Sequence, residues 1–133
     1  MLVYCDSVIF IYLFDHTGHF NIRATSRMAA FAAAKDRIAI SHLVRLEYRI
    51  APLRSNDAVK LGIFDAFCVR PDVQFLPIST AVFERATAIR AAFNFKLGDS
   101  LHLSAAVEGG CDRFLTNDNR LSGFTDIAVE VLP

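Results

Sequence analysis

Leu2-Val-Tyr-Cys5, followed at once by Asp6, reads as a short β-strand that runs straight into a carboxylate. Four apolar residues without polar alternation suit a strand covered on both faces, as strands of parallel sheets are. Such sheets bind ligands beyond the carboxyl ends of their strands, at the point where strand order reverses. Asp6 is therefore a candidate functional residue from the outset.

Further apolar runs follow at Ile38 to Ile40, Val73 to Ile78 and Arg113 to Thr116. A last run, Ile127 to Leu132, sets Ala128 and Glu130 between larger apolar residues and suits an exposed edge. Helical patterns lie between the runs. Val59, Ile63, Phe64, Phe67 and Cys68 form a stripe after the start signal Asn56-Asp57. Val82, Phe83, Ala86, Ile89 and Phe93 form another after Ser79-Thr80. Lys96-Leu97-Gly98 breaks that helix, and Asp99 to Val107 begins the next. Only the connection from Asp118 to Ile127 is short. The alternation predicts one α/β domain over residues 1–133, a three-layer α/β/α sandwich around a parallel sheet of about five strands.

Composition agrees with a packed domain: 53% of the 133 residues are apolar, which excludes a disordered chain. Fourteen Lys and Arg balance fourteen Asp and Glu, so the chain is no bulk-electrostatic binder of nucleic acid. If four of those acids hold a cation, ten remain against fourteen bases, and the surface outside the site turns cationic. Cys5, Cys68 and Cys111 are odd in number and widely spaced, which predicts buried thiols in a reducing cytoplasm. The amino-terminal run has no basic segment before Asp6, and Val8 to Phe14 is too short to span a bilayer, so no secretion signal or membrane span is expected.

Three more acids stand out. Asp118 follows the run ending Leu-Thr-Asn117, again at a strand end, and Asp99 opens a helix where the dipole favours an anion. Glu47 lies among Leu43, Val44, Leu46, Ile50 and Ala51 at helical spacing, on or beside the core-facing stripe. A carboxylate there needs a partner, because unpaired burial is costly or forces protonation. Arg45, Arg49 or another arginine is one solution and a cation is another. Taken singly, Asp99 reads equally well as a helix cap and Asp118 as a turn residue. Four acids converging on one sheet end would repel one another unless a cation neutralised them. The histidines (His16, His19, His42, His102) show no zinc spacing and pair with none of these acids in a recognisable motif. An all-oxygen set selects hard ions, Mg²⁺ or Mn²⁺.

Four blocks together resemble the PIN-domain family, and within it the VapC-type toxins of bacterial toxin–antitoxin pairs. They are Val3-Tyr-Cys-Asp6-Ser7, Ile40 to Tyr48 around Glu47, Leu97-Gly-Asp99 through Ala106, and Asp112 through Leu121 around Asp118. The likeness runs over essentially the whole chain. Val8 departs from the small or polar residue frequent there, and no acidic position is lost. The resemblance implies a cytoplasmic endoribonuclease cutting single-stranded or loop RNA to leave a 5′-phosphate and a 3′-hydroxyl. It further implies a cognate antitoxin that blocks the site, and a toxin homodimer. Asp6, Asp99 and Asp118 would hold the metal, Glu47 would position the attacking water or a second ion, and Ser7 and Thr116 would orient these groups. For both hydroxyls, capping or turn hydrogen bonds are an equal alternative, and Asn117 reads as a turn residue.

Some features stay open at this level. Arg45, Arg49, Arg113 and Arg120 suit salt bridges better than RNA contacts. His16-Thr-Gly-His19 reads as a polar loop rather than a metal site. The aromatic stretch Val8 to Phe31 packs a core, and any part left exposed would be an interaction patch. Phosphotransfer on Asp6 is excluded, since position 8 is Val rather than Asp and no lysine follows Lys96. A catalytically silent RNA- or protein-binding module and a housekeeping nuclease are the remaining rivals.

Overall fold

The apolar runs form five strands, all parallel, in the order β3-β2-β1-β4-β5. The computed structural model describes residues 1–15 and 18–133. Its elements run β1 (Leu2–Cys5), α1 (Ser7–Asp15), α2 (Gly18–Ala33), β2 (Arg37–Ser41), α3 (His42–Arg54) and α4 (Ala58–Cys68). They continue with β3 (Val73–Leu76), α5 (Thr80–Phe93), α6 (Leu97–Glu108), β4 (Arg113–Thr116), a 3-10 turn (Asn119–Gly123) and β5 (Ala128–Val131). His16 and Thr17 of the expected polar loop lie outside the described residues, while His19 sits exposed in α2.

Local chemistry sets the boundaries. Asp57 caps α4 by accepting from the Lys60 amide at 3.0 Å, and Ser79 caps α5 by accepting from Val82 at 3.3 Å. Asn94 ends α5 in the left-handed region at φ 57°, which its short polar side chain tolerates. The expected start of α6 at Asp99 is two residues late. Leu97 and Gly98 are already helical, and Lys96 stands at the cap without a side-chain bond. Asp99 is thus the third helical residue.

The chain steps from β1 to β3 across one half of the sheet, then crosses to β4 and β5 on the other. Right-handed crossovers place the helices of the two halves on opposite faces. Accordingly, α1 packs on α2, α3 and α4, whereas α5 packs along α6. On the first face Phe10 meets Phe64 and Phe67 edge-on, with centroids 5.8 and 5.1 Å apart. On the second, Phe93 meets Phe124 at 5.2 Å.

The stripe around Glu47 is not uniformly core. Val44 and Tyr48 are buried, but Leu46 and Ile50 are 57% and 42% exposed and Ala51 is exposed too. Helical spacing marks a residue's face without saying what covers it, and this helix is apolar on its outer side as well. Val59 and Phe83 likewise face solvent. Of the three free thiols only Cys5 is fully buried; Cys68 and Cys111 are half-buried. Among the described residues no helix is long and apolar enough to cross a membrane.

Edge strand β5 is tied inward by Glu130, whose carboxylate takes Arg27 of α2 on two nitrogens and Arg113 of β4 at 2.7 Å. The hydrogen bonds from Arg27, then Arg113, hold its carboxyl below the ordinary range despite partial burial. A carboxylate lowered on folding contributes stability above its unfolded value and loses it as pH falls through the folded one. Glu130→Gln should therefore cost about 1 kcal/mol and lower Tm by about 3 °C at neutral pH. The difference from wild type should shrink in melts below pH 4.5, the ordinary value for this side chain.

Candidate active site

The reversal of strand order falls between β1 and β4, and two acids emerge there side by side. The Asp6 amide donates to the Leu115 carbonyl at 3.0 Å, extending the β1–β4 ladder by one step. Its Oδ1 accepts from the Ser7 amide at 2.7 Å and its Oδ2 from Thr116 Oγ1 at 3.0 Å. Thr116 Oγ1 in turn accepts from the Asp118 amide at 3.1 Å. One hydroxyl thus links the ends of both strands. Asn117 turns away and donates to the Tyr12 hydroxyl at 2.9 Å.

Glu47 reaches the same place from α3, and its partner is no arginine. Arg49 bonds Asp65 at 3.1 Å, while Glu47 Oε1 accepts from Nε2 of His102. The expectation that the histidines stand apart from the acids is thereby overturned. His102 is buried in α6, one turn after Asp99, and its Nε2 also lies 3.8 Å from Asp6 Oδ1. That i, i+3 relation to Asp99 is the sequence signal that would have found it. Half-burial works against the charged form of Glu47, but the hydrogen bond and charge of His102, with a bond from Ser7, outweigh it. The Glu47 carboxyl is held below the ordinary range.

Asp99 and Asp118 occupy the other side. Arg120 clasps Asp118, with Nε 3.0 Å from Oδ1 and Nη2 on Oδ2, and its Nη2 lies 3.8 Å from Asp99 Oδ2. The hydrogen bond from Arg120 keeps the Asp118 carboxyl low. The reverse holds at Asp99, where burial first and then the charges of Asp6 and Asp118 push the carboxyl up. Arg113 pairs with Glu130, away from this cleft.

All four acids, with Ser7, Thr116, Lys96 and Arg120, line one cleft of about 440 Å³. Its inner wall groups the ligand-capable atoms differently from the expected Asp6, Asp99 and Asp118. Single atoms of Asp6, Glu47 and His102 lie within 4.8 Å of one another, while Asp99 and Asp118 flank the Arg120 guanidinium. The donors are chiefly carboxylate oxygens, and the mutual repulsion felt at Asp99 is what a bound cation would relieve. The arrangement fits a hard divalent ion.

A PIN domain model matches residues 3–128. The chain belongs to the PIN domain family. Among solved structures, this PIN domain superposes on the VapBC2 complex of Rickettsia felis bound to a promoter DNA fragment, with a TM-score of 0.81 at 16% identity over 100% of both chains. It matches a toxin-antitoxin complex from Klebsiella pneumoniae with a TM-score of 0.75 at 20% identity, over 95% of each chain. VapC20 of Mycobacterium tuberculosis, described as a sarcin-ricin loop cleaving toxin, gives 0.73 at 14% identity, over 95% of this chain and 98% of that one. No curated protein matches the chain. At these identities the likeness is one of fold.

Two predictions follow from the charges of this cleft. A carboxyl raised on folding favours the native state below its unfolded value and penalises it as pH rises through the folded one. Asp99→Asn should thus raise the Tm of chelator-treated protein at pH 7, and the gain should vanish in melts below pH 3.8, the ordinary aspartate value. Removing the guanidinium that competes for Asp99 and Asp118 should tighten cation binding. Calorimetric titration of Arg120→Ala with Mn²⁺ should give a Kd about two- to fivefold below wild type.

Proposed function

We propose that this PIN domain is a Mg²⁺- or Mn²⁺-dependent endoribonuclease, the cytoplasmic toxin of a VapC-type toxin–antitoxin pair. The observation that carries the reading is the convergence of Asp6, Glu47, Asp99 and Asp118 in one cleft at the sheet's switch point. Asp6, Asp99 and Asp118 would hold the ion. A divalent cation there supplies charge neutralisation at a scissile phosphate and makes water a better nucleophile at neutral pH.

The chain's own groups divide the remaining work. Ser7 and Thr116 fix both oxygens of Asp6, so that carboxylate enters the reaction already oriented. Glu47, held by His102 beside Asp6, would orient the attacking water or help hold a second ion. Lys96 and Arg120 line the cleft as cations for the flanking phosphates, which offsets the chain's lack of net positive charge.

A cognate antitoxin is part of the same reading. An apolar groove lined by Ile11, Phe14, Tyr48, Ala51 and Pro52 opens beside the acid cleft, and Glu47 lines both. A peptide seated in that groove would reach the catalytic carboxylates, which suits an inhibitor that covers and blocks. Toxin–antitoxin complexes among the structural relatives support the pairing. A homodimer would cover the exposed Phe83 and Leu97 around the α5–α6 cleft.

Purified protein should cleave RNA with Mg²⁺ or Mn²⁺, stop on chelation, and lose about a hundredfold or more of its rate in Asp6→Asn and Asp99→Asn. Mapping new 5′-phosphate ends in cells briefly expressing wild type, with Asp99→Asn as control, would identify the RNA. Full cleavage by either variant would sink the assignment. Unaffected growth on expressing the chain alone would favour a housekeeping nuclease.

A further inference from the structure

Behind the acid cleft runs a buried polar chain that the catalytic reading does not use. Tyr4 Oη lies 2.8 Å from Ser41 Oγ and 2.8 Å from His102 Nδ1, and the opposite ring nitrogen holds Glu47. Tyr4 comes from β1, Ser41 from the end of β2 and His102 from α6; all are at most 1% exposed. No buried side-chain nitrogen or oxygen lacks a partner among the described residues.

One end of the chain has a fixed direction. A carboxylate only accepts, so His102 Nε2 carries the hydrogen directed at Glu47. Burial first, opposed by the Ser41 bond, pushes the Tyr4 phenol far up, so it remains a donor. Tyr4 Oη shares one hydrogen with His102 Nδ1 and another with Ser41 Oγ.

Replacing buried polar groups of this kind by apolar side chains of the same shape is often close to neutral for stability. What they would not do is hold Glu47. That side chain is long, lies at the cleft wall and is 36% exposed, so without the imidazole its bond to Ser7 would leave it freer to change rotamer. Tyr4 also stacks on Phe114 at 5.4 Å, which pins the phenol to the sheet.

We infer that Ser41, Tyr4 and His102 form a buried positioning relay that locks the Glu47 carboxylate in the cleft and thereby sets how tightly a divalent cation binds there. The relay rests on the metal-nuclease reading. His102 acts on the ion through Glu47, not as a ligand.

The test is a double-mutant cycle read by calorimetric Mn²⁺ titration of chelator-stripped protein, with thermal melts confirming folding. Tyr4→Phe removes one oxygen and keeps the ring, and should weaken Mn²⁺ binding about tenfold. In a Glu47→Gln background the same change should alter Kd less than about twofold. Ser41→Ala, the outermost link, serves in place of Tyr4→Phe if the latter unfolds. An equal loss in both backgrounds would mean a general structural effect and overturn the relay. So would unchanged affinity in Tyr4→Phe while Glu47→Gln binds weakly. Glu47→Gln binding like wild type would remove the relay's target and overturn it. Cleavage lost in Asp6→Asn would then leave the nuclease reading standing. Spin-echo spectra of bound Mn²⁺ complete the test: a directly coordinated imidazole lost in His102→Asn would make His102 a ligand and refute the inference.

Discussion

β1 pairs with β2 on one side and β4 on the other, all in parallel, and the site depends on that pairing. Parallel strands carry their carboxyl ends to a common edge. The crossover chain departs in opposite directions from β1 and into β4, leaving a crevice between their carboxyl ends. Asp6 enters it directly after β1 and Asp118 two residues after β4, while α3 delivers Glu47 from its middle and α6 delivers Asp99 from its first turn. The interaction that fixes the crevice's width is the backbone ladder itself, which continues one residue beyond β1 to the Asp6 amide.

Gathering four carboxylates has an electrostatic cost, and the chain spreads it unevenly. Asp118 is matched by a guanidinium, Glu47 by an imidazole, and Asp6 by a hydroxyl and an amide. Asp99 receives the least compensation and the most repulsion, so it is the member shifted upward. Folding alone leaves this site under tension. Such local instability is common where groups are arranged for a ligand rather than for the native state.

The strands were legible because burial on both faces strips them of polar alternation, and Asp6 and Asp118 were legible because they end such runs. Glu47 announced itself as an acid among apolar helical positions, but its partner did not. His102 stands 55 residues away, in Leu-His-Leu inside a buried helix, where nothing local marks a polar contact. Only its one-turn offset from Asp99 pointed to it. The outer face of α3 was misread for a different reason. Periodicity reports a shared side and cannot tell a core from a surface that another molecule covers, so Leu46 and Ile50 looked internal. The start of α6 was missed because Gly98 resembles a breaker, although the first helical turn asks little of its residues' propensities.

Thr116 puts a narrow demand on the genetic alphabet. Its single oxygen gives a proton to one acid and takes one from the backbone beneath another, so the two strand ends are gauged against each other through one atom. Valine has the shape without the oxygen, and cysteine's longer, weaker bonds would spread the gauge. Asparagine splits giving and taking between two atoms set apart. Only a short aliphatic hydroxyl does both from one point, which leaves threonine and serine as the vocabulary for that position.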